Sequence, residues 1–116
     1  MTDTAAILKR ARELVERGWV KGQLAVDDMG VSASVWQARA TCFCSVGAIQ
    51  RAIWEQPGWD GVNPILHHGY HPALEALCAD LPEFSSIVEF NDDNATAKDD
   101  VIALFDRAIA TQEKVK

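Results

Sequence analysis

The stretch ARATCFCSVGAIQRAIW, residues Ala38 to Trp54, decides the reading of this chain. Val46, Ile49, Ile53 and Trp54 recur at helical spacing and make one apolar stripe. Gly47, Ala48 and Ala52 are small, so a neighbouring helix can approach closely. Ahead of the stripe, Thr41-Cys42-Phe43-Cys44 alternates as an extended link does, and Cys44 or Ser45 starts the helix. Pro57-Gly58 stops it, because proline cannot continue a helix. The segment reads as the central helix, lying between the first and last ones, with its thiol end turned inward.

Working outward, Thr4 or Asp3 can cap a first helix in which Ile7, Leu8, Ala11, Leu14 and Val15 form an amphipathic stripe. Gly18 closes it as a C-terminal cap, where glycine adopts a left-handed backbone at little cost, and Trp19 folds back on the stripe. Residues 18–34 carry no helical period. Gln23 to Val26 suits a short extended piece, Asp27 to Gly30 a turn with positive φ at Gly30, and a small hairpin near Gly22 to Val35 is a minor alternative. Ser34 can cap a short helical piece that turns Trp36 inward. Residues 56–71 form the longest candidate loop, marked by prolines, glycines, Asp-Gly and Asn-Pro; Trp59, Ile65, Leu66 and Tyr70 suggest that it packs down. Pro72 suits the first position of a third helix, with Leu74, Leu77, Cys78 and Leu81 as its buried face. Residues 83–90 fit a short helix slightly better than a strand, and 91–94 a turn. Thr96 opens the last helix in a capping-box-like arrangement with Asp99, followed by a wide stripe from Val101 to Ile109. The expected fold is mainly α: a single domain, 1–116, with four main helices over residues 4–17, 44–55, 72–80 and 97–110 and short helical or extended pieces between.

The composition is that of an ordinary globular domain of 116 residues. No apolar run reaches the roughly 20 residues that span a bilayer. The N-terminal residues carry charge throughout and lack a signal-peptide core, so the cytoplasm is the expected compartment and no membrane partner is expected. The net charge of −6 and the absence of a basic run argue against nucleic-acid binding. Three cysteines, two of them separated by one residue, argue against a disulfide framework.

Three motifs sit far apart: Gly18-Trp19 with Gly22; Cys44-x-x-Gly47-Ala48; and Phe90-Asn91-Asp92 ahead of Val101 to Ile109. Together they resemble an uncharacterised family of small bacterial and phage proteins that carry Gly-Trp-x-x-Gly, Trp-Cys-x-x-Gly-Ala and Trp-Asn-Asp. Phe43 and Phe90 stand where tryptophan is more usual, keeping aromatic bulk. The resemblance spans nearly the whole chain, brings no established activity, and implies mobile-element biology by analogy.

The sharpest chemical constellation is a Cys–His–Asn/Asp site. Cys44 at a helix N-terminus could have a lowered thiol pKa; His67, His68 or His71 could act as base; Asn91 or Asp92 could orient the imidazole. Against it stands a plain reading with Cys44 as core filler, the histidines as loop polar groups and Asn91-Asp92 as turn formers. A zinc site from His67, His71, Cys42 and Cys44 fits poorly, because Cys-x-Cys spacing is wrong and Gly69 and Pro72 interrupt the histidine segment. Asp92, Asp93, Asp99 and Asp100 form no calcium loop, and no phosphate-cradling glycine motif is present. No metal or cofactor is expected. Four tryptophans are many for this length; Trp59, with Tyr70 on the same loop, is the candidate contact for a partner. The default expectation is a protein-interaction or accessory module binding another protein, with a cysteine-dependent enzyme as the alternative.

Overall fold

The computed structural model describes residues 3–56, 63–64, 67–79, 81 and 86–114. Along these residues run helices α1 (Asp3–Arg17), α2 (Ser45–Trp54), α3 (Tyr70–Cys78), α4 (Ile87–Asp92) and α5 (Lys98–Lys114), with two short strands, β1 (Ala25–Val26) and β2 (Cys42–Phe43), between α1 and α2. The fold is mainly α, as the periodicity requires. No helix among the described residues is long and apolar enough to cross a membrane.

The middle of the bundle is α1, not α2. Helix α1 packs on both α2 and α5, while α3 closes the group from a third side. Ile7, Leu8, Ala11 and Val15 of α1 are all fully buried between these neighbours. Facing them are Ile49, Ala52 and Ile53 of α2, Ala73 and Leu77 of α3, and Val101, Leu104, Phe105 and Ala108 of α5. Each large aliphatic or aromatic side chain here contributes about 2 kcal/mol through burial.

Local chemistry sets the helix ends, with some departures from expectation. Gly18 is not in a left-handed conformation; positive φ occurs at Gly22 and Gly30, the latter in the expected turn. Glycine at position 18 is required by crowding instead: a Cβ there would lie 2.5 Å from the Thr41 carbonyl oxygen and 2.8 Å from Cys42 Sγ. Helix α3 starts at Tyr70, two residues before Pro72, with Gly69 pressed against Ile7. Ala73 takes the buried place that sequence periodicity assigned to Cys78, which is exposed. Asn91 and Asp92 form the last turn of α4 rather than a free turn. At α5 the reciprocal cap is shifted by one residue, Asp100 accepting from the Ala97 N–H at 2.8 Å.

The segment between α1 and α2 is an excursion anchored at both ends. β1 and β2 are antiparallel, with Ala25 opposite Phe43 and Val26 opposite Cys42. The turn at 27–31 folds back so that Val26 bridges Ser32, which realises the minor hairpin reading as a single bridge. Residues 35–39 make turns, not a helix, and Trp36 points outward at 50% exposure. It meets Trp54, also exposed, at a centroid distance of 6.1 Å. Trp54 thus leaves the α2 stripe, while its neighbour Ile53 and Trp36's neighbour Val35 are the buried residues there.

Candidate functional site

The three separated motifs meet at one buried residue, Asn91. Its side chain is 1% exposed and makes five hydrogen bonds. Asn91 Oδ1 accepts from Trp19 Nε1 at 2.8 Å, from the Ser45 backbone N–H at 2.9 Å and from Ser45 Oγ at 2.7 Å. Asn91 Nδ2 donates to the Val20 carbonyl and to Asp92 Oδ1. Asp92 Oδ1 also accepts from the Gly22 N–H at 2.9 Å. The amide therefore occupies the place where the start of α2 offers an unpaired N–H, and it ties that helix end to the loop after α1 and to α4.

Around this node the backbones lie very close. The Leu24 carbonyl accepts from Cys44 N–H and rests on Gly47, where a Cβ would lie only 1.9 Å from that oxygen. What approaches the small face of α2 at Gly47 is thus the backbone of the excursion, not a helix. The Phe43 N–H donates to the Gly18 carbonyl and the Val20 N–H to the Phe43 carbonyl, so the loop after α1 continues the small sheet.

Cys44 is the N-cap of α2, its Sγ accepting from the Gly47 N–H at 3.2 Å. The residue is 6% exposed. Burial pushes its thiol pKa up from the ordinary 9.0; hydrogen bonds from Gly47 and Val46 act the other way without overcoming it. The helix-end lowering expected from the sequence is outweighed, and the sulfur is a neutral thiol at pH 7. Cys44, Asn91 and Asp92 come together on a cavity of about 190 Å³, whose wall is completed by Gly22, Gln23, Leu24, Val46 and Val88.

The histidines lie elsewhere. His67 is buried beside Gly69 and Ile7, with Nδ1 accepting from the Gly69 N–H at 2.9 Å and its ring stacked on His68. None of the three histidines lines the Cys44 cavity. His71 belongs to α3 and meets Tyr70 edge-on. Tyr70, expected as a contact residue, is 7% exposed and fills the core. Trp59 lies outside the described residues. Among the described residues no three His, Cys, Asp or Glu side chains are grouped as metal ligands.

Among the described residues, the exposed large apolar side chains are Val88 of α4 and, grouped on the excursion and the end of α2, Leu24, Met29, Val31, Trp36 and Trp54. A groove of about 340 Å³ runs beside Leu24 and Trp36, with Gln50 of α2 on its wall. The turn carrying Trp36 is held rigidly: Arg51 Nη1 donates to the carbonyls of Val35 and Gln37, and Asp27 bonds the Met29 and Val31 N–H groups and Arg39. Sequence reasoning missed this surface because it assigned the Trp36 ring to the core. It also missed Asn91 as the hub, although the joint spacing of the three motifs carried that signal.

Fold and surface together define a small, mainly α domain with a polar keystone and an apolar outer ridge. The sequence matches the model of a family of unknown function, DUF6197, over residues 1–111, and the chain belongs to that family. No curated protein and no solved structure matches it.

Proposed function

We propose that the protein is a protein-interaction module of the cytoplasm, working through the ridge formed by Leu24, Trp36 and Trp54. The observation that carries this reading is the paired, outward-facing Trp36 and Trp54 beside a groove on a turn braced by Arg51. Tryptophan at a rigid surface position supplies large contact area at little entropic cost. The partner is a protein segment with apolar anchors flanked by Lys or Arg. A net charge of −6 favours such a segment over an acidic one, and Asp28 stands next to exposed Met29 on the same excursion. The resemblance to small bacterial and phage proteins supports an accessory role in mobile-element biology.

The test compares wild type with Trp36→Ala/Trp54→Ala. Captured proteins are identified by mass spectrometry, and binding of the purified partner is then measured by calorimetry. Support is a basic, apolar-anchored segment that binds wild type and loses at least about tenfold in affinity for the double variant. Equal affinity for both proteins refutes the ridge. A concentration-dependent dimer in light scattering that the double variant abolishes would assign the ridge to a second copy and overturn the hetero-partner. The cysteine-enzyme alternative has less support, since Cys44 is buried and protonated and its sulfur already serves as a cap.

A further inference from the structure

On the other side of β2, between α1 and α2, lies a cleft of about 300 Å³ with a different character. Its wall carries Arg10, Arg17, Arg51 and Glu55, above Leu14 and Phe43. In a chain of net charge −6, three guanidiniums against Glu55 and the Glu13 that pairs with Arg10 leave this a local positive site.

The arginines are not equally occupied. Arg10 and Arg51 both bond Glu55, Arg10 Nε at 2.6 Å and Arg51 Nε at 2.9 Å. Arg10 also reaches Glu13, and Arg51 Nη1 serves two carbonyls. Arg17 has no carboxylate at ion-pairing distance among the described residues, and Arg51 Nη2 makes no hydrogen bond among them. Arg17 and Arg51 thus both keep donors without a partner among the described residues, and both residues line the cleft beside the exposed Thr41. Arg17 stands at the carbonyl end of α1, whose dipole opposes an anion with about half an elementary charge; the guanidinium in excess over Glu13 and Glu55 exceeds that.

We propose that this cleft binds a small organic phosphate monoester, its phosphoryl oxygens on Arg17 and Arg51 Nη2 and its apolar remainder against Leu14 and Phe43. Guanidinium forks match the oxygen geometry of a phosphoryl group. With Arg10 shared between Glu13 and Glu55, the wall keeps a net positive charge that favours an anion, and the volume exceeds what a bare phosphate fills. The site is separate from the tryptophan ridge and does not depend on it.

The test is an NMR titration of the full ¹⁵N-labelled chain with phenyl phosphate, with inorganic phosphate and benzyl alcohol as separate arms. The expected result is saturable shifts at the amides of Arg17, Ala40 and Thr41, tighter for phenyl phosphate than for inorganic phosphate, with benzyl alcohol silent. Arg17→Gln should weaken phenyl phosphate binding about tenfold, whereas Arg107→Gln, which removes the same charge from α5, should change it by less than about twofold. No saturable shift at millimolar phenyl phosphate overturns the site. Equal weakening by both variants reduces it to diffuse attraction and overturns it too. Inorganic phosphate binding as tightly as phenyl phosphate refutes the organic ligand.

Discussion

Replacing Asn91 by alanine should be among the most damaging polar substitutions in the chain. The side chain is fully enclosed and its five hydrogen bonds serve three segments. Alanine leaves the Ser45 N–H, the Trp19 indole N–H and the Val20 carbonyl without this partner. The Ser45 hydroxyl can rotate to another acceptor; the backbone N–H cannot. With about 1–3 kcal/mol for each buried group left unsatisfied, partial relaxation at half-buried Trp19 brings the expected loss to about 3–5 kcal/mol. That is a large part of the roughly 5–15 kcal/mol that stabilises such a domain, and it should lower Tm by about 12–20 °C. Urea unfolding followed by tryptophan fluorescence measures it, because Trp19 reports on the same site. Asn91→Asp keeps the acceptor but sets a carboxylate against Asp92 and the Val20 carbonyl; it should gain stability on acidification, when protonation restores a donor. An Asn91→Ala variant within about 1 kcal/mol of wild type would refute the keystone argument.

Other outcomes follow from the same packing. Gly47→Ala should destabilise by several kcal/mol, although alanine gains about 1 kcal/mol in helix propensity, because the new Cβ meets the Leu24 carbonyl at 1.9 Å; a neutral result in urea unfolding would contradict that contact. Cys44 should alkylate with iodoacetamide more slowly than a free model thiol at neutral pH. Since burial raises its folded-state pKa above 9.0, its neutral form stabilises the fold below pH 9 and that contribution falls as pH rises further; Cys44→Ala should flatten the alkaline limb of the stability curve. Desolvation acts to raise the Glu55 pKa, but hydrogen bonds from Arg10 and Arg51 hold it below 4.5. Its contribution is therefore present above pH 4.5 and lost as pH falls through the lowered value, and Glu55→Gln should make acid unfolding less steep. Arg12→Gln, removing the exposed pair with Asp106, should cost less than about 1 kcal/mol in the same assay.

Helices α1, α2 and α5 were legible in the chain because a 3.6-residue period is a local property that survives any packing. What periodicity does not carry is which helix has two neighbours. Helix α2 has the smaller residues and looked central; its small face is instead covered by the backbone at Leu24, and α1 is the helix that packs on both α2 and α5. Trp36 was misread for a related reason: apolarity says that a ring gains by burial, not which of two adjacent apolar residues is buried, and here it is Val35. Gly18 was rightly marked as special but for the wrong cause, since crowding by Thr41 and Cys42, distant in sequence, leaves no local signature. Asn91-Asp92 carries a turn signal in isolation; only the joint presence of Trp19, Ser45 and Asn91 in three dimensions makes it a hub. The thiol shift at Cys44 was a contest between helix-end donors and burial, and the degree of burial is a tertiary quantity.

The excursion between α1 and α2 divides its residues by direction. Ala25 and Val26 face inward and are held by strand pairing, and Val35 faces inward on a turn held by Arg51, while Leu24, Met29, Val31 and Trp36 face outward. Substitutions in the outward set should therefore leave the bundle standing, so recognition and foldedness can drift independently along one short piece of chain. Such a cassette lets related chains exchange their targets while keeping the same scaffold, and it marks Met29, Val31 and Trp36 as the places to graft a new specificity.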